Sequence, residues 1–244
     1  MNAQLQERLL AINRDFYARF AQEFAGTRTV EHANLSAIMP YLRNGVKLLD
    51  IGCGSGRVAE RLDREKLAVE YLGVDVTPSF VASARSRAAR LARVRAEFQL
   101  LDITSAGWTE SLRARQPFDV ALAAAVLHHI PGFELRCAVL RAVRAMLRPG
   151  GILVLSNWQF QNDPRLLKKV VAWDRLDIDT RGLEEGDTLI DWKRGGEGYR
   201  FCHLLTPAEV ERAARQAGFA VLSQHTAERE LNLWSILQSD LKPL

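Results

Sequence analysis

The stretch Lys47-Leu-Leu-Asp50-Ile-Gly52-Cys53-Gly54-Ser-Gly56-Arg57 decides how this chain is read. A short apolar run ending in an acid predicts a buried parallel strand. Three alternating glycines follow, and a helical pattern begins at Val58 and Leu62. Strand, glycine turn and helix form a ligand-binding βα corner. The glycines let backbone approach a ligand and permit positive φ in the turn. The helix start presents unsatisfied N–H groups and a positive dipole end, which draw an anionic group. A dinucleotide fingerprint is G-x-G-x-x-G. Here the spacing is G-x-G-x-G, and Arg57 stands in place of the third glycine. Asp50 would repel a pyrophosphate but accept an ammonium. The corner therefore predicts a ligand carrying both ammonium and carboxylate.

Outward from the corner, strands and helices alternate. Glu70–Asp75 reads as a second strand ending in an acid, about 20 residues past the glycines, where such folds grip ribose hydroxyls. Pro78 opens a helix predicted to run to about residue 95, with Arg85, Arg87, Arg90 and Arg93 on a basic face. Residues 97–102 form a third strand ending in Asp102, and the apolar run 118–127 a central strand delivering His128 and His129. A helix over 135–147, the turn Arg148-Pro-Gly-Gly151 and a strand over 152–156 complete a doubly wound α/β pattern. Before the corner, apolar residues from Leu5 to Phe24 recur at helical spacing. A second helix is expected over 32–42, interrupted at Pro40. After it, a helical piece is expected around 165–176, a long loop over 180–198, and an extended segment over 199–203. Thr206-Pro-Ala-Glu209 reads as a capping-box helix start. Residues 219–224 and 232–238 read as a closing hairpin.

The 244 residues are 48% apolar and 25% charged, with a formal charge of +4, which suits a globular domain and permits an anionic partner without requiring one. Cys53, Cys137 and Cys202 lack metal-ligand spacing, so reduced thiols and no bound metal are expected. With no signal peptide or membrane-length apolar run evident, the expected location is the cytoplasm.

The glycine triplet after Asp50, the strand-end acids Asp75 and Asp102, the Leu147-Arg-Pro-Gly-Gly151 turn and the closing hairpin together resemble the class I S-adenosylmethionine (SAM) methyltransferases. The resemblance implies a Rossmann-like, mostly parallel seven-stranded sheet over residues 45–244, a helical cap over 1–44 and an insertion at about 157–205. It implies SAM as cofactor. Asp50 would take the ammonium, Gly52, Cys53, Gly54, Gly56 and Arg57 would line that end, Asp75 with Val76 would hold the ribose, and Asp102, Ile103 and Ala125 would enclose the rest.

A narrower resemblance rests on Phe16-Tyr17-Ala-Arg-Phe20-Ala21 with Thr27-Arg28, Ala125-Val-Leu-His128-His129, Gly186-Asp-Thr-Leu-Ile-Asp191-Trp192-Lys193 and Tyr199-Arg-Phe-Cys-His203. These are similar to pieces of the tRNA wobble-uridine carboxymethyl methyltransferases. Asp191 and Phe201-Cys202 depart from that pattern. The resemblance implies tRNA as substrate, and a small zinc-binding activator protein as a partner in some relatives. It assigns Arg28, His128, His203 and Tyr199 to catalysis, and Tyr17, Trp192 and Lys193 to the substrate. Each has an ordinary structural alternative, as a packing aromatic, a core histidine or a surface cation. A small-molecule methyltransferase and a non-catalytic methyltransferase-like subunit stay open beside the tRNA reading.

Overall fold

Leu48, Leu49 and Ile51 are buried at the centre of a seven-stranded sheet, as their apolar run requires. The computed structural model describes residues 1–27 and 35–240. Strands β1 (Lys47–Ile51), β2 (Glu70–Asp75), β3 (Arg95–Leu100), β4 (Phe118–Ala124) and β5 (Leu147–Trp158) run parallel. β9 (Phe219–Ala227) and β10 (Asn232–Ser239) complete the order β3-β2-β1-β4-β5-β10-β9, with β10 antiparallel to both neighbours. Strand order reverses between β1 and β4. In open α/β sheets ligands bind outside the carboxyl ends of strands at such a reversal. Helices α2 (Arg57–Arg64), α3 (Pro78–Ala88), α4 (Phe133–Met146) and α6 (Pro207–Gln216) join these strands, and one apolar cluster lies on each face of the sheet.

Between β5 and α6 the chain adds a single helical turn, α5 (Pro164–Leu167), and a second, antiparallel sheet of β6 (Val170–Val171), β7 (Asp187–Trp192) and β8 (Gly198–His203). Helix α1 (Ala3–Gly26) packs on β8: the Asn13 carboxamide accepts from the Phe201 amide at 2.9 Å and donates to its carbonyl at 3.0 Å. Leu9 and Phe201 are fully buried at the same contact. No helix among the described residues is long and apolar enough to cross a membrane.

Several local expectations need correction. The helix from Pro78 stops at Ala88, because Asp63 Oδ1 collects the amides of Ala92, Arg93 and Val94 and turns the chain into β3. The helix expected over 165–176 is one Asp163-capped turn, then the β-branched pair Val170–Val171, which joins the small sheet, then a 3₁₀ turn. Residues 180–198 hold the first strand and the turn of a β-hairpin; Asp187–Trp192 buries only its central pair, Leu189 and Ile190, and so carries no period-two pattern. Residues 28–34 lie outside the described residues, and 35–42 form turns with a short 3₁₀ helix at Met39–Tyr41 around Pro40. Thr206 does cap α6 through the Glu209 amide, but the Glu209 carboxylate turns away to His203 and Arg136, so the capping box is half made.

Candidate active site

At the end of β1 the chain turns on Gly52 (φ +67°), and the amides of Gly52 and Cys53 donate to the Val74 carbonyl at 2.8 and 3.0 Å. A Cβ at residue 52 would lie 2.4 Å from Val126 Cγ2, so glycine is required there. The Gly54 amide donates to Asp75 Oδ2 at 2.9 Å, and Asp75 Oδ1 accepts from the Thr77 amide at 2.8 Å. Each carboxylate oxygen keeps a second lone pair for a further donor. Asp50 is 1% exposed and accepts the Tyr71 hydroxyl proton. Burial pushes its carboxyl up to about 7; the Tyr71 bond opposes this, nearby Asp75 adds to it, and Arg57 opposes it. Burial also raises Asp75, against the pull of the Thr77 and Gly54 amides.

A cavity of about 550 Å³ opens at this turn, within the ~300–1,000 Å³ typical of small-molecule sites. Asp50, Asp75 and Asp102 supply acids to its lining, while Tyr17, Phe24, Phe80, Trp158 and Trp234 supply aromatic surface. Ala125, at the end of β4, has φ +59°, a conformation that favours glycine and marks local strain. Just beyond it, His128 Nδ1 accepts from the Trp158 amide at 3.2 Å, which places the proton of the neutral ring on Nε2. His129 has the opposite tautomer. Its Nδ1 lies 2.9 Å from the Phe201 carbonyl, which can only accept, so Nδ1 carries hydrogen. In the neutral ring Nε2 then accepts from the Tyr17 hydroxyl, 3.0 Å away. The Asp102 Oδ1 accepts from the amide and hydroxyl of Thr104 at 2.8 and 2.6 Å, and Oδ2 faces Arg14 at 3.3 Å.

Residues 49–153 match a family model described as a methyltransferase domain. The chain carries a class I SAM-dependent methyltransferase domain. It is 31% identical over 176 residues to a ubiquinone biosynthesis O-methyltransferase of Azorhizobium caulinodans, covering 72% of this chain and 59% of that protein. A protein of the same name from Cereibacter sphaeroides is 36% identical over 187 residues, covering 76% and 64%. The chain thus spans less than two thirds of the length of these relatives. Among solved structures, a SAM-dependent methyltransferase from Methanosarcina mazei superposes with a TM-score of 0.67 at 23% identity, covering 85% of this chain and 98% of that one. The Synechocystis magnesium protoporphyrin IX methyltransferase with bound SAM superposes at 0.59 and 15% identity, covering 98% and 100%. A Haloferax volcanii methyltransferase in complex with the Trm112 activator does so at 0.62 and 15%, covering 95% and 99%. S-adenosylmethionine is the cofactor of this domain. The pair of desolvated carboxylates beside a glycine turn fits its ammonium and its ribose.

In the methyltransferase domain the sequence-expected residues divide. Asp50, Gly52, Cys53, Gly54, Arg57, Asp75, Val76, Asp102, Ile103, Ala125, His128 and Tyr17 all line the cavity. Gly56 does not; a Cβ there would meet Phe98 and Ala84 at 3.0 and 3.1 Å, so it serves the packing of α2 on α3 and β3. Cys53 is buried and burial drives its thiol well up, so no thiolate forms. His203 lies outside the cavity, with Nδ1 2.7 Å from Asp187 and Nε2 3.0 Å from Glu209. Burial disfavours its charged form, but the bonds to Asp187 and Glu209 outweigh that and raise its pKa. The fully buried Arg136 fills the centre of the Glu184, His203 and Glu209 group, donating to the two glutamates at 2.6 and 2.7 Å, so a fixed organic cation already occupies that acidic cluster. Tyr199 also lies outside the cavity and donates to Glu197 at 2.8 Å. Trp192 stacks edge-on to Phe16 at 5.4 Å, and the exposed Lys193 pairs with Asp191 at 3.4 Å. Arg28 lies outside the described residues. Sequence reasoning missed Arg14, Trp158 and Arg200 as lining residues and ranked His129 below its neighbour. Nothing in one sequence tells which of two adjacent histidines meets a carbonyl acceptor.

Proposed function

We propose that the protein is a SAM-dependent O-methyltransferase acting on a small hydroxylated ring compound. One observation carries this reading: a carbonyl-oriented histidine, His129, joined to a tyrosine hydroxyl in an aromatic-lined cavity beside the glycine turn. The O-methyltransferase names of the relatives support oxygen as the acceptor atom.

Asp50 would receive the cofactor's ammonium, Asp75 its ribose hydroxyls, the backbone at Gly52 and Gly54 its amino-acid end, and Asp102 with Ile103 the adenine. When bound, SAM supplies a methyl carbon made electrophilic by the sulfonium. A hydroxyl is a poor nucleophile at neutral pH, so the protein must take its proton as the C–O bond forms. The substrate proton passes to the Tyr17 oxygen as the Tyr17 proton moves to His129 Nε2. The Phe201 carbonyl stabilises the imidazolium through Nδ1–H, as the buried partner of a catalytic histidine does. The surrounding rings exclude water and hold the acceptor in line with the methyl group.

The tRNA reading has less support here. Trp192 and Lys193 face other partners than the cavity, Arg87 pairs with Glu60, and Arg85 donates to the Phe98 carbonyl. Incubating the protein with labelled SAM and a panel of o-diphenols should give ring methyl ethers. Label only in a carboxymethyluridine-bearing tRNA would replace this reading with the other.

A further inference from the structure

Among the described residues two arginines, Arg136 and Arg200, are buried, and their guanidinium groups are partnered differently. The terminal nitrogens of Arg136 donate to Glu184, Glu209 and the Ile130 carbonyl, and only its Nε is buried without a partner. Arg200, on β8, is 6% exposed, yet its guanidinium makes no hydrogen bond or ion pair with any described residue, and its Nε is buried without a partner. Three rings surround it instead: Phe16 at 5.1 Å, Trp158 at 5.2 Å and Trp192 at 5.5 Å from ring centroid to the guanidinium carbon. The same residue lines the cavity that holds His128, His129 and Tyr17. Aromatic faces attract a cation but accept none of its N–H bonds in full, so the donors remain for a guest.

We infer that Arg200 is the receptor for an anionic group on the substrate, and that the substrate class is a hydroxylated aromatic carboxylate. This rests on the small-molecule reading above. A guanidinium is a planar fork that matches a carboxylate with two parallel bonds. The rings remove competing water and strengthen that pairing. A dianionic phosphate would need a second unengaged cation. Arg14, which also lines the cavity, is already shared between Glu7 and Asp102. Carboxylate recognition also leaves the reacting atom distinct. A carboxylate held by both oxygens is a weak nucleophile, whereas a ring hydroxyl near Tyr17 and His129 is activated. Trp158 lies beside both Arg200 and the histidine pair, its ring centroid 5.2 Å from the guanidinium carbon and 6.2 Å from the His128 ring.

The test titrates the full chain, saturated with S-adenosylhomocysteine, with protocatechuate and with its neutral amide, following tryptophan fluorescence from Trp158 and Trp192. The acid should bind about tenfold or more tightly than the amide, as for a desolvated charge-assisted pair. Arg200→Gln should erase that preference, and Arg200→Lys should keep part of it, while S-adenosylhomocysteine affinity stays unchanged in both. Equal binding of acid and amide to the unsubstituted protein, or binding of neither, overturns the proposal without using a variant. Loss of S-adenosylhomocysteine affinity in Arg200→Gln, with the fold intact by thermal melting, also overturns it, because Arg200 would then serve the cofactor's own carboxylate. Failure of the unsubstituted protein to bind S-adenosylhomocysteine would instead strike the underlying methyltransferase reading.

Discussion

Replacing Asp50 with Asn should make the protein without cofactor more stable and the cofactor bind worse. The carboxyl is 1% exposed and its pKa rises from 3.8 to about 7, chiefly through burial. At ~1.36 kcal/mol per unit, holding it ionised costs the folded state about 4 kcal/mol. A group whose folded pKa lies above its unfolded value stabilises fully below the unfolded value, and loses that contribution as pH rises toward the folded one. For Asp50 the loss spans 3.8 to about 7. The Asn variant cannot ionise and so escapes it. Allowing ~1 kcal/mol for a weaker bond from Tyr71, the net gain above pH 7 is about 3 kcal/mol. In a chain of this size that is a rise of ~6–12 °C in melting temperature, absent near pH 4 and growing toward pH 8. Binding should move the other way, because a cationic ammonium loses its buried anion at a cost of ~2–5 kcal/mol, so the Kd for S-adenosylhomocysteine should rise at least ~30-fold. Thermal melts from pH 4 to 8 and calorimetric titration read both effects. A variant that melts below the parent at pH 8, or binds S-adenosylhomocysteine within about threefold of it, would refute the assignment.

His129→Ala should lower kcat by ~10²–10⁴ while leaving S-adenosylhomocysteine binding unchanged by calorimetry, since proton transfer and cofactor binding use different residues. Gly52→Ala combines a positive φ with a Cβ 2.4 Å from Val126, and the two penalties, ~1–2 and ~1–3 kcal/mol, should lower the melting temperature and weaken cofactor binding together. His203 should act on stability in the opposite part of the pH range from Asp50. Its folded pKa is raised above 6.5, so its contribution is complete below 6.5 and is lost as pH rises through the folded value. Denaturant melts of His203→Gln should therefore lack the parent's alkaline decline.

The parts of this structure that the sequence made legible are those set by local chemistry. An apolar run ending in Asp50 and a glycine turn have one good solution, and the turn, β1 and α2 form as expected. The strand-end acid at 75 and the closing hairpin follow from the same alternation of apolar runs and breakers, whereas β3 runs Arg95–Leu100 and leaves Asp102 two residues past its end. The inserted sheet was not legible, because Val170–Val171 and Asp187–Trp192 are short strands whose partners lie across glycine-rich sequence. The roles of His203 and Arg200 were hidden for a related reason. His203 faces Asp187, Glu209 and Arg136, whereas Arg200, three residues earlier on the same strand, faces rings and cavity. Alternation along β8 separates them, and only the pairing of β7 with β8 fixes which face is which.

In the proposed reaction this cleft moves a methyl group from SAM to a ring hydroxyl, whose proton leaves through Tyr17 to His129. Labelled SAM, the purified chain and a dihydroxybenzoate should give a methyl ether that mass spectrometry finds with the unsubstituted protein and not with His129→Ala. Equal ether formation by His129→Ala, or label recovered as a methyl ester on the carboxylate, would contradict the account.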